Sequence, residues 1–158
     1  AFIRREQQRL EQAIRELLAA HAQLRKQVSL LDTIPGIAWT TAVGLLGEIG
    51  DAARYRSPKA LAAHAGLIPS QRTSGTSVRG KSTIGKEGSR ALRRLLYMPA
   101  LVAISHNPAL REFYDRLRQR GKLKMVALVA AMHKLLRICW GVLKHQLPFQ
   151  YPKPPQNP

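Results

Sequence analysis

The N-terminal segment carries apolar residues in a heptad pattern. Leucine or isoleucine recurs at every seventh position, at Ile3, Leu10, Leu17, Leu24 and Leu31. The alternate positions of the same stripe hold Gln7, Ile14, His21 and Val28. Leucine at d with β-branched residues at a favours a parallel two-stranded coiled coil, so residues 1–31 are predicted to form a dimerisation helix. A single amphipathic helix lying on its own domain would show the same pattern.

Helical periodicity continues beyond this segment, and N-cap residues divide it into separate helices. The capping signals stand at Ser57, Ser89 and Asn107. They predict helices at residues 58–65, 90–105 and 108–121, and a last long apolar-faced helix is predicted at residues 122–144. The fold class is therefore all-α. A coiled-coil helix at 1–31 precedes a helical domain at 32–145, and a flexible proline-rich tail follows at 146–158.

The turn at Ile34-Pro35-Gly36-Ile37 joins the coiled-coil helix to a helix that runs to about Ile49. The arrangement resembles a helix-hairpin-helix, in which backbone N–H groups at the start of the second helix face a phosphate. That motif's usual second glycine and usual basic residue are replaced here by Ala38 and Thr40. The sequence leaves open whether this turn contacts a phosphate or is purely structural.

Composition points to a polyanionic partner. The chain has 26 lysine and arginine residues against 9 acidic residues, a formal net charge of +17, and nucleic acid is the first expectation for such a balance. The longest uncharged apolar stretch, Met125 to Met132, falls well short of the roughly 20 residues of a membrane span. The charged N-terminal sequence shows no signal-peptide pattern, so an intracellular, cytoplasmic location and no membrane partner are expected.

Metal and disulfide chemistry have little support in the chain itself. Cys139 is the only cysteine, and its apolar helical context predicts a small core residue. The five histidines do not group with carboxylates at ligand spacing, so no metal site is predicted within this chain.

Periodicity disappears between Leu67 and Gly88, which predicts an irregular loop with room for a short hairpin. A phosphoryl-transfer site needs a nucleophile, cations and a backbone that can approach phosphate closely. Ser74 and Gly75 lie in this loop, and seven cations against one acid lie between Arg72 and Arg94. A basic loop rich in glycine and serine that only contacts nucleic acid has the same composition.

The candidate phosphate contacts in the loop are Arg72, Arg79, Lys81 and Lys86. Those expected on the exposed face of the following helix are Arg90, Arg93 and Arg94, although a solvated basic face would look the same. No general base for Ser74 is evident, since His64 lies on a predicted helix where packing is the ordinary role. A second basic set surrounds Gly121 and predicts a broad nucleic-acid track.

Several motifs, taken together, are specific in order and spacing. They are Ile34-Pro35-Gly36-Ile37, Ala62-Ala63-His64-Ala65-Gly66-Leu67-Ile68-Pro69, Ser74-Gly75, Ile84-Gly85-Lys86-Glu87-Gly88-Ser89-Arg90 and Leu92-Arg93-Arg94-Leu95-Leu96. The stretch from about residue 31 to residue 144 thereby resembles the C-terminal transposase domain of DEDD-type insertion-sequence transposases. These are bridge-RNA-guided recombinases related to pilin-gene invertases.

The resemblance implies that Ser74, with Gly75 beside it, is the site of a nucleophilic serine that forms a phosphoserine link to DNA. It further implies a RuvC-like domain before the coiled coil, whose four acidic residues bind Mg²⁺, and active sites shared between protomers. Implied partners are DNA, a structured guide RNA and a second copy through the coiled coil, with tetramers as a further assembly. The chain is then expected to be a fragment that begins inside the coiled coil and is inactive alone.

Two other functions remain open from the sequence. A non-catalytic nucleic-acid-binding and dimerisation module would share every charge feature of a recombinase domain. A structural RNA-binding protein of the ribosomal kind would explain the charge and the proline-rich tail, but it gives no reason for the heptads.

Overall fold

The structure is a computed structural model that describes residues 1–70, 83–84 and 88–151. Within these residues it contains seven α-helices, which confirms the all-α prediction. They are α1 Phe2–Ala20, α2 Ala22–Asp32, α3 Trp39–Ile49, α4 Pro58–His64, α5 Arg90–His106, α6 Pro108–Gln119 and α7 Lys124–His145. A 3-10 turn, Ala52–Arg54, precedes α4, and two short antiparallel strands, β1 Pro69–Ser70 and β2 Thr83–Ile84, follow it.

The predicted starts of α4, α5 and α6 are confirmed, because their capping residues act as expected, whereas α7 begins at Lys124 without a side-chain cap. The side-chain oxygens of Ser57, Ser89 and Asn107 each accept a hydrogen bond from a backbone N–H in the first turn of α4, α5 and α6. These bonds satisfy N–H groups that have no partner inside the helix. The helix boundaries agree with those read from the sequence to within about two residues, the usual uncertainty of a helix end.

The heptad segment is two helices, and not the single helix predicted for residues 1–31. His21 separates α1 from α2 with φ −125° and ψ 89°, which is not a helical conformation. On the far side of this break Val28 and Leu31 are buried in the core, with exposed fractions of 3% and 0%. The change of direction at His21 gives α2 a course of its own, on which these side chains reach the core.

The first half of the heptad stripe is covered only in part, since Ile14 packs against the core and the other apolar positions do not. Ile3, Leu10 and Leu17 keep exposed fractions of 79%, 58% and 53%. The α2 part of the heptads therefore packs on its own domain, as the second interpretation expects. In α1 three apolar positions stay uncovered, and the predicted coiled coil stays a prediction.

Helix α7 is the centre of the core, and it contacts α2, α4, α5 and α6. Its inward face is completely buried at Leu135, Leu136 and Cys139. Burial raises the pKa of the Cys139 thiol to about 12, so Cys139 is the small core residue that the sequence predicted.

Among the described residues, α7 is also the one helix that is long and apolar enough to cross a membrane by length and composition. No such segment was expected from the sequence, because charged residues such as Lys134 and Arg137 divide the apolar residues of this helix into short runs. Half of the qualifying window is buried inside the bundle. The apolar composition of α7 is accounted for by its place in the core.

The segment that follows α7 runs back along α2, and the structure describes it as far as Tyr151. The backbone N–H of Phe149 donates to Thr33 Oγ1 at 2.8 Å, and the Phe149 ring packs against the core. The first part of the predicted flexible tail, through Tyr151, thus has defined contacts. Residues 152–158 lie outside the described residues.

Candidate functional site

The structure describes both ends of the loop that contains Ser74. The loop leaves α4 at Gly66 and returns to α5 at Gly88. Most of its predicted site residues lie outside the described residues, namely Ser74, Gly75, Arg72, Arg79, Lys81 and Lys86. The roles assigned to these residues stay predictions. What the structure shows is how the two ends of the loop are held.

The two ends of the loop are held side by side. The Ser89 N–H donates to the carbonyl oxygen of His64 at 2.6 Å. In β1 and β2, Pro69 lies opposite Ile84 and Ser70 opposite Thr83. The loop therefore leaves and re-enters the helical domain at one place, where the C-terminal end of α4 meets the N-terminal end of α5.

The close contact between the two ends of the loop requires glycine at position 88. Gly88 has φ +95°, and a Cβ placed on it would lie 2.5 Å from the backbone nitrogen of Gly66 and 2.7 Å from its Cα. L-residues rarely adopt this φ, and the atoms in the way belong to backbone that cannot rotate aside. Glycine at this position lets the ends of the loop approach each other directly.

Arg93 holds the same junction. Its Nη1 donates to the carbonyl oxygen of Ala65 at 3.1 Å, and its side chain is half-buried. The sequence analysis expected Arg93 on an exposed face with Arg90 and Arg94, and only those two are exposed. Arg93 is placed to position the end of α4, because its fixed charge meets a carbonyl at the helix C-terminus.

A carboxylate that the sequence analysis did not single out lies at the same junction. Ser89 Oγ donates to Oε2 of Glu48 at 3.4 Å, in addition to capping α5. Glu48 is an exposed residue near the end of α3, so nothing in its local sequence distinguishes it from a solvated surface acid. His64 is exposed, and its ring lies against that of Tyr55 with centroids 5.6 Å apart.

The Pro-Gly turn between α2 and α3 packs tightly on α5. Gly36 has φ +103°, and a Cβ there would lie 2.6 Å from Cβ of Ala103 and 2.9 Å from the carbonyl oxygen of Pro99. This contact accounts for the glycine by packing alone. Beside it, the guanidinium of Arg15 lies 4.2 Å from the ring centroid of Trp39, which joins α1 to the start of α3. A phosphate contact at this turn stays a prediction.

The second basic set, around Gly121, is partly engaged with backbone. Arg111 donates to the carbonyl oxygens of Ile104 and Ser105, and Arg118 donates to that of Lys122. The exposed cations of the set are Arg111, Arg116, Arg120, Lys122 and Lys124. Within residues 1–70, 83–84 and 88–151, no group of three or more His, Cys, Asp or Glu side chains is placed to hold a metal ion.

Comparison with known proteins places this chain among transposases. Residues 28–115 match the family described as "Transposase IS116/IS110/IS902 family". Over 141 residues the chain is 40% identical to the pilin gene-inverting protein of Moraxella bovis, covering 89% of this chain and 44% of that protein. It is 35% identical to the transposase for insertion sequence element IS1328 of Yersinia enterocolitica, with 85% of this chain and 41% of that protein covered.

A third relative, from Streptomyces coelicolor, is the insertion element IS110 uncharacterized 43.6 kDa protein, 33% identical over 85% of this chain and 32% of that protein. The chain thus spans less than half the length of each of these relatives. The family match includes α3, α4, α5, both strands and the junction at Gly66 and Gly88. This chain belongs to the IS116/IS110/IS902 family of transposases.

Proposed function

We propose that this chain is the DNA-binding, serine-bearing part of a transposase or site-specific DNA recombinase. The observation that carries the proposal is the junction that holds both ends of the Ser74 loop together, through Gly88 and Arg93, inside a family of transposases. A loop fixed at both ends on a rigid helical scaffold can hold a nucleophile against a bound phosphate. The relatives named for gene inversion and transposition carry out processes in which DNA strands must be broken and rejoined.

The reaction proposed for Ser74 is a two-step exchange at phosphorus. In the first step Oγ of Ser74 attacks a DNA phosphodiester, a phosphoserine ester forms, and the bond from phosphorus to one sugar oxygen breaks. The serine proton goes to a base, and the leaving sugar oxygen takes up a proton to become a hydroxyl. In the second step the hydroxyl of another strand attacks the same phosphorus and releases Ser74. One ester replaces another in each step, so no ATP is required.

The cations of this chain serve to hold the phosphate. Arg72, Arg79, Lys81 and Lys86 are proposed contacts from the loop, with Arg90 and Arg94 on α5. Arg93 is proposed to act as a positioning residue, since it binds the Ala65 carbonyl oxygen. The complete enzyme is proposed to add a RuvC-like domain from a neighbouring protomer, whose Mg²⁺ would stabilise charge on the phosphate oxygens. A structured guide RNA would select the DNA target.

The covalent step is tested by mapping the attachment site. The complete enzyme is incubated with end-labelled target DNA, denatured, and digested with protease and nuclease, and the modified peptide is sequenced by mass spectrometry. The expected result is a nucleotide remnant on Ser74. A remnant on another hydroxyl, such as exposed Tyr97, would contradict the assignment of Ser74. The absence of any adduct would favour the non-catalytic binding module.

We also propose that the exposed part of α1 pairs with a second copy of the chain. Ile3, Leu10 and Leu17 form an uncovered stripe, whereas the heptad positions in α2 are covered by the domain. Pairing of two such stripes would bury them both, as in a two-stranded coiled coil. Further pairing of dimers into tetramers would bring sites of different protomers together.

The α1 pairing predicts that Leu10→Glu converts the dimer to a monomer, because a carboxylate at d is unpaired and desolvated in the interface. Analytical ultracentrifugation over a range of concentrations measures the change. The matched control is Gln8→Glu, which adds the same charge on an exposed residue outside the stripe and is expected to leave the dimer intact. Equal masses for Leu10→Glu and the unmodified chain would contradict the pairing.

A further inference from the structure

A cleft of about 520 Å³ lies on a face of α7, away from the Ser74 junction. Its walls include Pro58 at the start of α4, Phe113 of α6, and His133, Lys134, Arg137 and Trp140 of α7. The volume is within the roughly 300–1,000 Å³ that is usual for sites that bind small molecules. Nothing in the recombination chemistry proposed for Ser74 uses this cleft.

The cleft is lined by cations and by flat aromatic surfaces. Lys134 Nζ lies 4.6 Å from the centroid of the Phe113 ring and donates to the carbonyl oxygen of Ala109 at 3.3 Å. Arg137, one turn further along α7, is exposed at the cleft. Burial is the main cause that lowers the pKa of Lys134; Arg116 and Arg137 add to it and Glu112 opposes it, so one carboxylate acts on this group of cations. An anionic ligand with a planar ring is the chemistry that such walls favour.

Two ring nitrogens at the cleft have no hydrogen-bond partner within the part of the chain that the structure describes. They are Nε2 of His133 and Nε1 of Trp140, and both are shielded from solvent. Burial, aided by Arg137, lowers the pKa of His133, which favours the neutral imidazole. The indole N–H can only donate. Buried polar groups in proteins are nearly always paired, and a bound group with an acceptor for the indole, and a donor or acceptor for the imidazole according to its tautomer, would supply the missing partners.

The space beside these rings is available. Gly141 lines the cleft, and a Cβ added to it would meet no atom within 4 Å. A planar group could therefore enter along the aromatic wall without displacing the helix. Nucleobases combine a planar face with ring and carbonyl acceptors, and they are attached to a phosphate that Lys134 and Arg137 could hold.

We propose that this cleft binds one unstacked nucleotide of a single-stranded nucleic acid, with the base against Phe113 and Trp140 and the phosphate at Lys134 and Arg137. The proposal rests on the proposed function to the extent that nucleic acid is the partner. A base in an intact duplex is stacked and paired, and it cannot enter a cleft without being extruded. The cleft therefore distinguishes single strands from duplexes, whereas the surface cations do not.

The first test uses the fluorescence of Trp140. The chain has two tryptophans, so the Trp39→Phe variant leaves Trp140 as the only one, and it is excited selectively at a wavelength that tyrosine does not absorb. Single-stranded oligothymidylate, single-stranded oligouridylate and a DNA duplex of equal length are titrated at one fixed salt concentration. We expect the single strands to quench Trp140 and the duplex to leave its emission unchanged. Binding of single strands, followed by anisotropy, without any change in Trp140 emission would overturn the proposal.

The second test compares two exposed cations. Arg137→Gln is expected to weaken single-strand binding about tenfold and duplex binding by less than about twofold, because only the single strand places a nucleotide in the cleft. Lys26→Gln removes the same charge from α2 and is expected to change neither affinity by more than about twofold. Circular dichroism checks that both variants keep the helix content.

The outcomes separate the two proposals. If the unmodified chain bound single strands and duplexes and Arg137→Gln weakened both equally or neither, the cleft proposal alone would fail. If the unmodified chain bound no nucleic acid at all, the proposed function would fail and the cleft proposal with it. Quenching by oligothymidylate but not by oligouridylate, or the reverse, supports the cleft and identifies DNA or RNA as its ligand.

Discussion

Ser74→Ala in the complete enzyme is expected to abolish strand exchange while DNA binding survives. The change removes the only oxygen of the protein that is proposed to attack phosphorus, and loss of a nucleophile lowers the rate by at least about a thousandfold in enzymes that form a covalent intermediate. The phosphate-binding cations are untouched, so affinity for DNA is expected to stay within about twofold. A recombination assay on a reporter substrate and a mobility-shift assay measure the two quantities separately.

The chain offers a matched control for this variant. Ser77 lies three residues away in the same loop and has no proposed part in the reaction. Ser77→Ala is expected to recombine at a rate close to that of the unmodified enzyme. Normal recombination by Ser74→Ala would exclude this serine as the nucleophile and would leave binding as the function of the loop.

Gly88→Ala is expected to lower the free energy of unfolding by about 3 kcal/mol, because it adds a strained backbone conformation to a close contact that cannot relax easily. The added Cβ would meet the backbone of Gly66 and the carbonyl oxygen of His64, all within 2.7 Å. Denaturant-induced unfolding followed by circular dichroism measures the loss. Displacement of the loop ends is also expected to reduce recombination by the complete enzyme.

Substitutions at two other glycines distinguish the cost of backbone strain from the cost of the close contact at Gly88. Gly121 has φ +79° and no atom within 4 Å of an added Cβ, so Gly121→Ala isolates backbone strain and should cost about 1 kcal/mol. Gly47 lies inside α3 with an equally empty surrounding, so Gly47→Ala should stabilise the chain by about 0.5 to 1 kcal/mol. A loss for Gly88→Ala no larger than that for Gly121→Ala would show that the contact with Gly66 is unimportant.

The candidate site was only partly accessible to sequence reasoning. The order and spacing of the motifs identified Ser74 and its basic surroundings as the candidate site, and membership of a transposase family is confirmed. The separate environments of Arg90, Arg93 and Arg94 could not be foreseen. Which of the three arginines meets the end of α4 depends on the side of α5 that faces it. That side is set by the packing of two helices that a long loop separates in sequence.

The local sequence determined where α4, α5 and α6 begin, because their capping side chains act on backbone groups within a few residues of themselves, and it placed the Pro-Gly turn after α2. It also determined the charge, on which the proposal of a nucleic-acid partner rests. Tertiary structure alone decided that the heptad segment breaks at His21, with α2 in the core and the α1 stripe exposed. Heptad spacing is the same whether a helix packs on its own domain or on a second copy, so only the packing of the whole chain distinguishes the two.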